Sequence, residues 1–305
     1  MPKKPTTLVA GATGYIGKKL CLALAAKGDP PRAMARKPGK AQDLSAAGCE
    51  IVPGDVLRRE TLDEPLEGIK VAYYLVHSMG RGGQGDFADR DEEGAENFAA
   101  AASEAGVKQI IYLGGLSDGG SKHLESRHAT AEHLGSSGVP VTYLRAAAVI
   151  GSGSESFRTL YYLTKRLPVM VTPKWVNNRT QPIAIDDLIE ILCQAPKAKG
   201  VRGRQIDIGG PDVTTYGGMM DAMAKAMGKR RRLKIPVPVL SPSLSSHWVG
   251  LVTPVDADVA RPLVQGLSVE TVVQDPSDME SLDVDFTPMD EAMELAIEEG
   301  GASLD

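Results

Sequence analysis

Apolar and polar positions follow two rhythms in the first half of the chain, and each switch between them marks an element boundary. Short apolar, β-branched runs at Thr6 to Ala10, Arg32 to Ala35, Glu50 to Val52, Val71 to Val76, Gln109 to Leu113 and Val141 to Leu144 predict strands. Helical spacing fills most of the gaps. Tyr15 to Lys27 carries the amphipathic Leu20, Leu22 and Leu24 region. Phe87, Asp91, Ala95, Phe98, Ala99 and Ala102 outline a long helix with a small apolar stripe, and Ser121 to Ser136 forms another, ended near Gly138.

Such alternation predicts an α/β fold with a doubly wound parallel Rossmann sheet, because every parallel crossover needs a covering helix. The expected strand order is 3-2-1-4-5-6 with room for a seventh, and the ligand belongs at the carboxyl ends of the strands. Beyond Leu144 the pattern loosens. Gly151 to Ser154 is a loop, Phe157 to Arg166 and Ile185 to Cys193 are helices, Gln205 to Ile208 is a short strand and Thr214 to Met227 is helical. Two short helices are expected around Leu244 to Val252 and Asp256 to Leu263. Residues 1–150 are therefore expected to form a dinucleotide-binding domain. Residues 151–305 should form a small substrate lobe, with 183–209 returning to the sheet.

Composition narrows the classes. A chain of 305 residues with 42% hydrophobic content can bury a core without staples. A net charge of −5 argues against a dedicated nucleic-acid binder, and the basic run Lys229 to Arg232 is expected to be a solvated turn between a helix and a strand. Cys21, Cys49 and Cys193 are far apart with no metal-ligand spacing, which predicts reduced buried thiols and no metal site. The N-terminus carries no apolar leader, and prolines and charges interrupt the apolar tract from Leu233 to Val255, so the expectation is a cytoplasmic protein without a membrane span. A homodimer is one assembly left open.

The chemistry starts at Gly11-Ala-Thr13-Gly14-Tyr15-Ile16-Gly17, where a strand enters a helix through three glycines. Gly11 permits the tight turn, Gly14 lets backbone approach a pyrophosphate and Gly17 lets helix and strand pack closely. The helix N-terminus supplies free N–H groups and the positive end of its dipole. No Lys-Ser/Thr pair follows the last glycine, so this is not a P-loop. The second strand ends in Arg36-Lys37 where an NAD site usually has a carboxylate. A guanidinium there grips a ribose 2′-phosphate, so NADP is expected over NAD. Asp55 and Val56, at the end of the third strand, are placed for the adenine. Leu75, Val76 and His77 continue the fourth strand along the riboses, followed by a glycine-rich lid at Arg81 to Gly85.

Together with Gly54-Asp55, Tyr74 to Gly80, Val141 to Arg145, Gln181 to Asp187 and Trp248 to Pro254, the glycine motif makes the chain resemble the atypical short-chain dehydrogenase/reductases. Within them it is most similar to the NmrA-like NAD(P)-binding branch, related to the Rossmann-type accessory subunit of respiratory complex I. The resemblance implies either an oxidoreductase acting on a small carbonyl or enone or a non-catalytic redox sensor or assembly factor. It also implies a Tyr-x-x-x-Lys pair on the helix after the fifth strand, and the chain departs from this: that helix carries His123-Leu-Glu-Ser-Arg127, and no Tyr lies between Tyr112 and Tyr143. His123 and Arg127, one turn apart, are candidates for proton donor and positive contact to ribose or substrate, with His128 and His133 on the same helix as alternatives. Ser117 is a candidate hydrogen-bond donor to a substrate oxygen. Phe157, Tyr161, Tyr162 and Trp175 are expected to wall a pocket.

Overall fold

The computed structural model describes residues 4–77, 86–116, 122–236, 268–279 and 281–304. The first half runs β1 (Thr7–Ala10), α1 (Tyr15–Ala26), β2 (Arg32–Ala35), α2 (Gln42–Ala46), β3 (Glu50–Pro53), α3 (Asp63–Leu66), β4 (Val71–Tyr74), α4 (Asp86–Glu104), β5 (Gln109–Gly115), α5 (Lys122–Gly135) and β6 (Val141–Ala146). The second half runs β7 (Val149–Ile150), α6 (Glu155–Arg166), β8 (Val169–Thr172), β9 (Arg179–Thr180), β10 (Ile183–Ala184), α7 (Ile185–Gln194), β11 (Gln205–Ile208), β12 (Thr214–Thr215), α8 (Tyr216–Ala226), β13 (Leu233–Pro236) and α9 (Met289–Gly300).

The described residues form a seven-stranded sheet in the order β11-β6-β5-β4-β1-β2-β3, parallel throughout. This is the doubly wound order expected from the sequence, with β11 as the seventh strand. Strand periodicity sorts the core onto two faces. Tyr73 points to the side covered by α1 and α7, where its hydroxyl donates to Leu192 O at 2.7 Å among Leu20, Leu24, Leu188 and Ile191. Tyr74 points to the other side, where its ring meets Phe98 of α4 at 5.1 Å between centroids. The stripe Ala95, Phe98, Ala99 and Ala102 is buried as expected. His133 of α5 reaches two exposed carboxylates of α4, Glu92 at 3.4 Å and Glu96 at 3.1 Å, and so ties the two helices together. At the outer edge the buried Arg145 of β6 pairs with Asp207 of β11 at 2.6 Å.

A third cluster, built on Phe157, Leu160, Tyr161, Met219, Met223 and Met293, joins α6, α8 and α9. Phe157, Tyr161 and Tyr162 are each under one-tenth exposed, so these aromatics make this core instead of walling a cavity. Thr214 to Met227 is not one helix. Thr214 and Thr215 pair with β9, and the Thr215 hydroxyl accepts from Gly218 N at 3.0 Å, capping α8 and fixing its start at Tyr216. The short helices expected around 244–252 and 256–263 lie outside the described residues. No helix among the described residues is long and apolar enough to cross a membrane.

Candidate coenzyme and active site

The turn between β1 and α1 has the geometry its glycines predict. Gly11 sits at φ +86, and a Cβ there would lie 2.6 Å from Leu75 O, so the residue that opens the loop also admits the chain leaving β4. Gly17 is pressed onto the same turn: its Cβ would stand 2.2 Å from Gly11 O. Gly14 differs, since its Cβ would meet only Gly11 O, at 3.3 Å, within 4 Å. Its missing side chain therefore opens a cradle outside the protein. Gly14 is also the N-cap of α1, and no side chain caps that end, so the amides of the first turn face the cradle unsatisfied by side chains. Thr13 is exposed at its lip, while Ile16 turns inward to pack on the sheet core. A pyrophosphate fits such a site.

The strand ends complete the shape. Arg36 and Lys37 are exposed at the end of β2, and neither side chain makes a hydrogen bond or ion pair among the described residues. Arg32, earlier in the strand, is spent on structure: it pairs with Glu50 at 3.0 Å and donates to the carbonyls of Pro65 and Glu67. At the end of β3, Asp55 folds back in an Asx turn, its Oδ1 accepting from Leu57 N at 3.2 Å, and Asn97 holds Val56 O at 3.0 Å. Leu75 and Val76 lie half-buried against the glycine turn, with Leu75 N donating to Ala10 O at 3.0 Å, and His77 is exposed just beyond. Ser78 to Gly85 lies outside the described residues.

Three tyrosines stand in register across β4, β5 and β6: Tyr74 beside Tyr112 beside Tyr143, with Tyr112 and Tyr143 stacked at 5.2 Å. The Tyr143 ring lies over Gly114, where a Cβ would be 2.6 Å from it, and its hydroxyl is 3.3 Å from His128 Nδ1. Arg127 extends along the same row to Tyr112, with Asp91 of α4 beside it. Burial alone would lower the guanidinium's pKa, but Tyr112 and Asp91 outweigh it and raise it, so the charge is fixed. Burial pushes the Tyr112 phenol up against the opposing effect of Arg127, and its buried hydroxyl has no hydrogen bond of standard geometry. Burial likewise raises Tyr143, so both phenols stay neutral at physiological pH.

His123 lies in the first turn of α5, although its side chain is outside the described set, as is Ser117 altogether. The contact missed in the sequence is His128 to Tyr143. Its one available signal was Gly114, which clears the space their rings share. The thiols behave as expected for reduced cysteines: burial pushes Cys193 up to about 11, and Cys21 and Cys49 are buried as neighbours.

Tyr15 follows the glycine turn but its side chain leaves the cradle. The ring fills the space over Gly151 and Gly153, where a Cβ would lie within 2.4 Å of it, and its hydroxyl donates to Glu299 of α9 at 3.1 Å. Ser152 Oγ donates to the same carboxylate at 2.8 Å and Lys19 Nζ stands 2.6 Å away.

Comparison with known proteins agrees with this geometry. The model of a family described as NAD(P)H-binding matches residues 11–166. A 4-hydroxy-2-methyl-3-oxo-4-farnesyl-3,4-dihydroquinoline-1-oxide ketoreductase of Stigmatella aurantiaca is 32% identical over 108 residues, 35% of this chain and 32% of that protein. The chain thus spans about a third of the length of the first curated relatives it matches. A ceramide reductase of Caulobacter vibrioides is 25% identical over 251 residues, 80% of this chain and 78% of that protein. The crystal structure of the Citrobacter sp. triphenylmethane reductase complexed with NADP(H) superposes with a TM-score of 0.75 over 95% of this chain and 99% of that one, at 20% identity. This chain belongs to the NAD(P)H-binding family.

Proposed function

We propose that the protein is an NADPH-dependent reductase of a carbonyl or enone on a small, largely apolar substrate. Two unpartnered cations at the end of β2, Arg36 and Lys37, carry the coenzyme reading. A carboxylate there would repel a 2′-phosphate, and none is present at that strand end. NADH is then the weaker ligand. The reductase reading draws support from the ketoreductase and ceramide reductase named among its relatives.

Residues 11–17 hold the pyrophosphate, Asp55 and Val56 border the adenine, and Leu75 to His77 border the riboses. When bound, the coenzyme supplies a hydride from its nicotinamide ring. The chain then has to orient the carbonyl and deliver a proton to its oxygen. In this proposal His123 donates that proton, Ser117 hydrogen-bonds the same oxygen, and Arg127, fixed between Tyr112 and Asp91, stabilises the negative charge that develops there.

The test is a fluorescence titration with NADPH and NADH, followed by absorbance measurements of NADPH consumption across ketones and enones for the wild type and His123→Ala. The expected result is preferential NADPH binding and turnover that the substitution lowers by about 100-fold or more. A second reading, a coenzyme-binding sensor or assembly factor, draws on the missing Tyr-x-x-x-Lys pair. Tight NADPH binding without oxidation by any acceptor would establish that reading instead.

A further inference from the structure

Strand β13 is built inside out. Lys234 points inward, its Nζ donating to Gly217 O at 2.6 Å and standing 2.7 Å from Asp221 Oδ1, while its neighbours Leu233 and Ile235 are 60% and 45% exposed. The partner strand exposes an aliphatic side chain on the same face, although it buries an apolar one as an ordinary strand does. Met170 and Thr172 of β8 are buried, and Val169, in register with Leu233, is 45% exposed. Of the five large hydrophobic side chains this exposed among the described residues, three meet on this one ribbon. A half-buried ribbon normally turns its aliphatic side chains to the core and its lysine to water, so the inversion points to a ligand on the outer face.

The charge around the ribbon indicates which ligand. Residues 225–235 hold six cations and no acid, in a chain whose net charge is −5. Arg231 and Lys234 share the single carboxylate of Asp221, which offsets one of their two charges, and Lys225 pairs with Asp290. Lys229 and Arg232 donate only to the carbonyls of Lys165 and Thr164 at the end of α6, which leaves their charge in place. Arg230 is exposed, and its side chain has no hydrogen bond or ion pair among the described residues. Lys225, Lys229 and Arg231 also line a shallow depression along α8, next to the ribbon.

Aliphatic side chains framed by cations match the boundary between lipid headgroups and acyl chains. Nucleic acid is a poorer match, because a single-strand platform stacks bases on aromatic rings and the exposed face offers Val, Leu and Ile. We propose that this face docks on the surface of an anionic bilayer, with Val169, Leu233 and Ile235 entering the headgroup layer and Lys229, Arg230 and Arg232 meeting lipid phosphates. Neither the glycine cradle nor α5 takes part, so the proposal is independent of the reductase reading.

The experiment is co-sedimentation of the full chain with vesicles of phosphatidylcholine alone and of phosphatidylcholine mixed with phosphatidylglycerol, at low and high salt. Binding is expected to the mixed vesicles, to weaken in high salt, and to fall about fivefold for each cation removed. Arg230→Glu and the double variant Leu233→Ser/Ile235→Ser should both bind vesicles more weakly, while circular dichroism and NADPH affinity stay as in the wild type. Failure to co-sediment with the mixed vesicles overturns the proposal, as does undiminished binding by both variants. So does capture of a single-stranded oligonucleotide or a polyglutamate chain in preference to vesicles, which would assign the face to another class of partner.

Discussion

Gly14→Ala and Gly17→Ala separate the part of the glycine motif that holds the fold from the part that holds the coenzyme. At Gly17 the new Cβ would stand 2.2 Å from Gly11 O, 2.9 Å from Gly11 C and 3.0 Å from Ala12 Cα, all backbone atoms of a turn already tied to β4. Relief requires α1 to back away by about 1 Å, and overpacking of that kind costs roughly 1–3 kcal/mol. The gain in helix propensity from Gly to Ala, about 1 kcal/mol, offsets only part of it. At Gly14 the Cβ would meet one atom, at 3.3 Å, and the backbone at φ −77 and ψ 167 suits alanine. There the folding cost is near zero, because a weaker N-cap, some tenths of a kcal/mol, is balanced by lower entropy of the unfolded chain. The methyl group instead fills the cradle.

Thermal melts without coenzyme should therefore show Gly17→Ala lowered by several degrees, at about 2–4 °C per kcal/mol, and Gly14→Ala within about a degree of the wild type. Calorimetric titration should show Gly14→Ala losing at least about tenfold in NADPH affinity, ~1.4 kcal/mol. Wild-type affinity in a well-folded Gly14→Ala would refute the reasoning, because nothing in the protein itself needs that position empty.

Arg36→Ala should weaken NADPH by roughly 10- to 100-fold, the worth of a charge-assisted contact to phosphate, and leave NADH affinity unchanged in parallel titrations. Equal losses for both coenzymes would remove the argument for NADP. Asp207→Asn leaves the buried Arg145 without its counter-charge, so urea unfolding should show a loss of about 3–5 kcal/mol, with Arg145→Met/Asp207→Leu less damaging than either single change. The Glu299 clasp gives a pH signature. Burial pushes this carboxyl up, but hydrogen bonds from Lys19, Ser152 and Tyr15 outweigh it and hold the pKa below the ordinary 4.5. A depressed carboxylate pKa stabilises the fold above pH 4.5, and the contribution is lost as pH falls through the folded-state value. Acid melts of Glu299→Gln should accordingly converge on the wild type once pH falls below that depressed folded-state value, and lie under it at neutral pH.

The sheet was legible because its information is local. Apart from the edge strand β3, each strand from β1 to β6 is a short, largely buried run that needs only its own side chains to be recognised, and the βα alternation then leaves few topologies open. Arg36 was equally legible, since its position follows from where β2 stops. Contacts between remote segments were not. Tyr15 lies inside the coenzyme motif, yet its ring belongs to Gly151, Gly153 and Glu299, the last of them 284 residues away. Thr215 was hidden by the helical spacing that follows it, because a cap and a helix residue differ only in whether the side chain turns back to the Gly218 amide. Phe157, Tyr161 and Tyr162 have the composition of a pocket wall, and only the packing of α6 on α8 shows them facing one another as core.

The tyrosine row does not itself replace the Tyr-x-x-x-Lys pair that the chain lacks. A catalytic phenol needs a cation to lower its pKa and some exposure to its substrate. Tyr112 has the cation, Arg127, but burial outweighs it and the phenol's pKa is raised. Tyr143 is buried as well, its hydroxyl 3.3 Å from His128 Nδ1. Neither ring is an exposed acid, so the row serves to position α5: it fixes Arg127 against β5 and His128 against β6, which sets the rotation of the helix and the direction of its first turn, where His123 lies. Tyr143→Phe should then leave NADPH affinity unchanged and reduce turnover modestly without shifting its pH profile, as expected of a positioning residue. A shift of the acidic or basic limb in that variant would make Tyr143 part of the proton path and displace His123 from the role proposed for it.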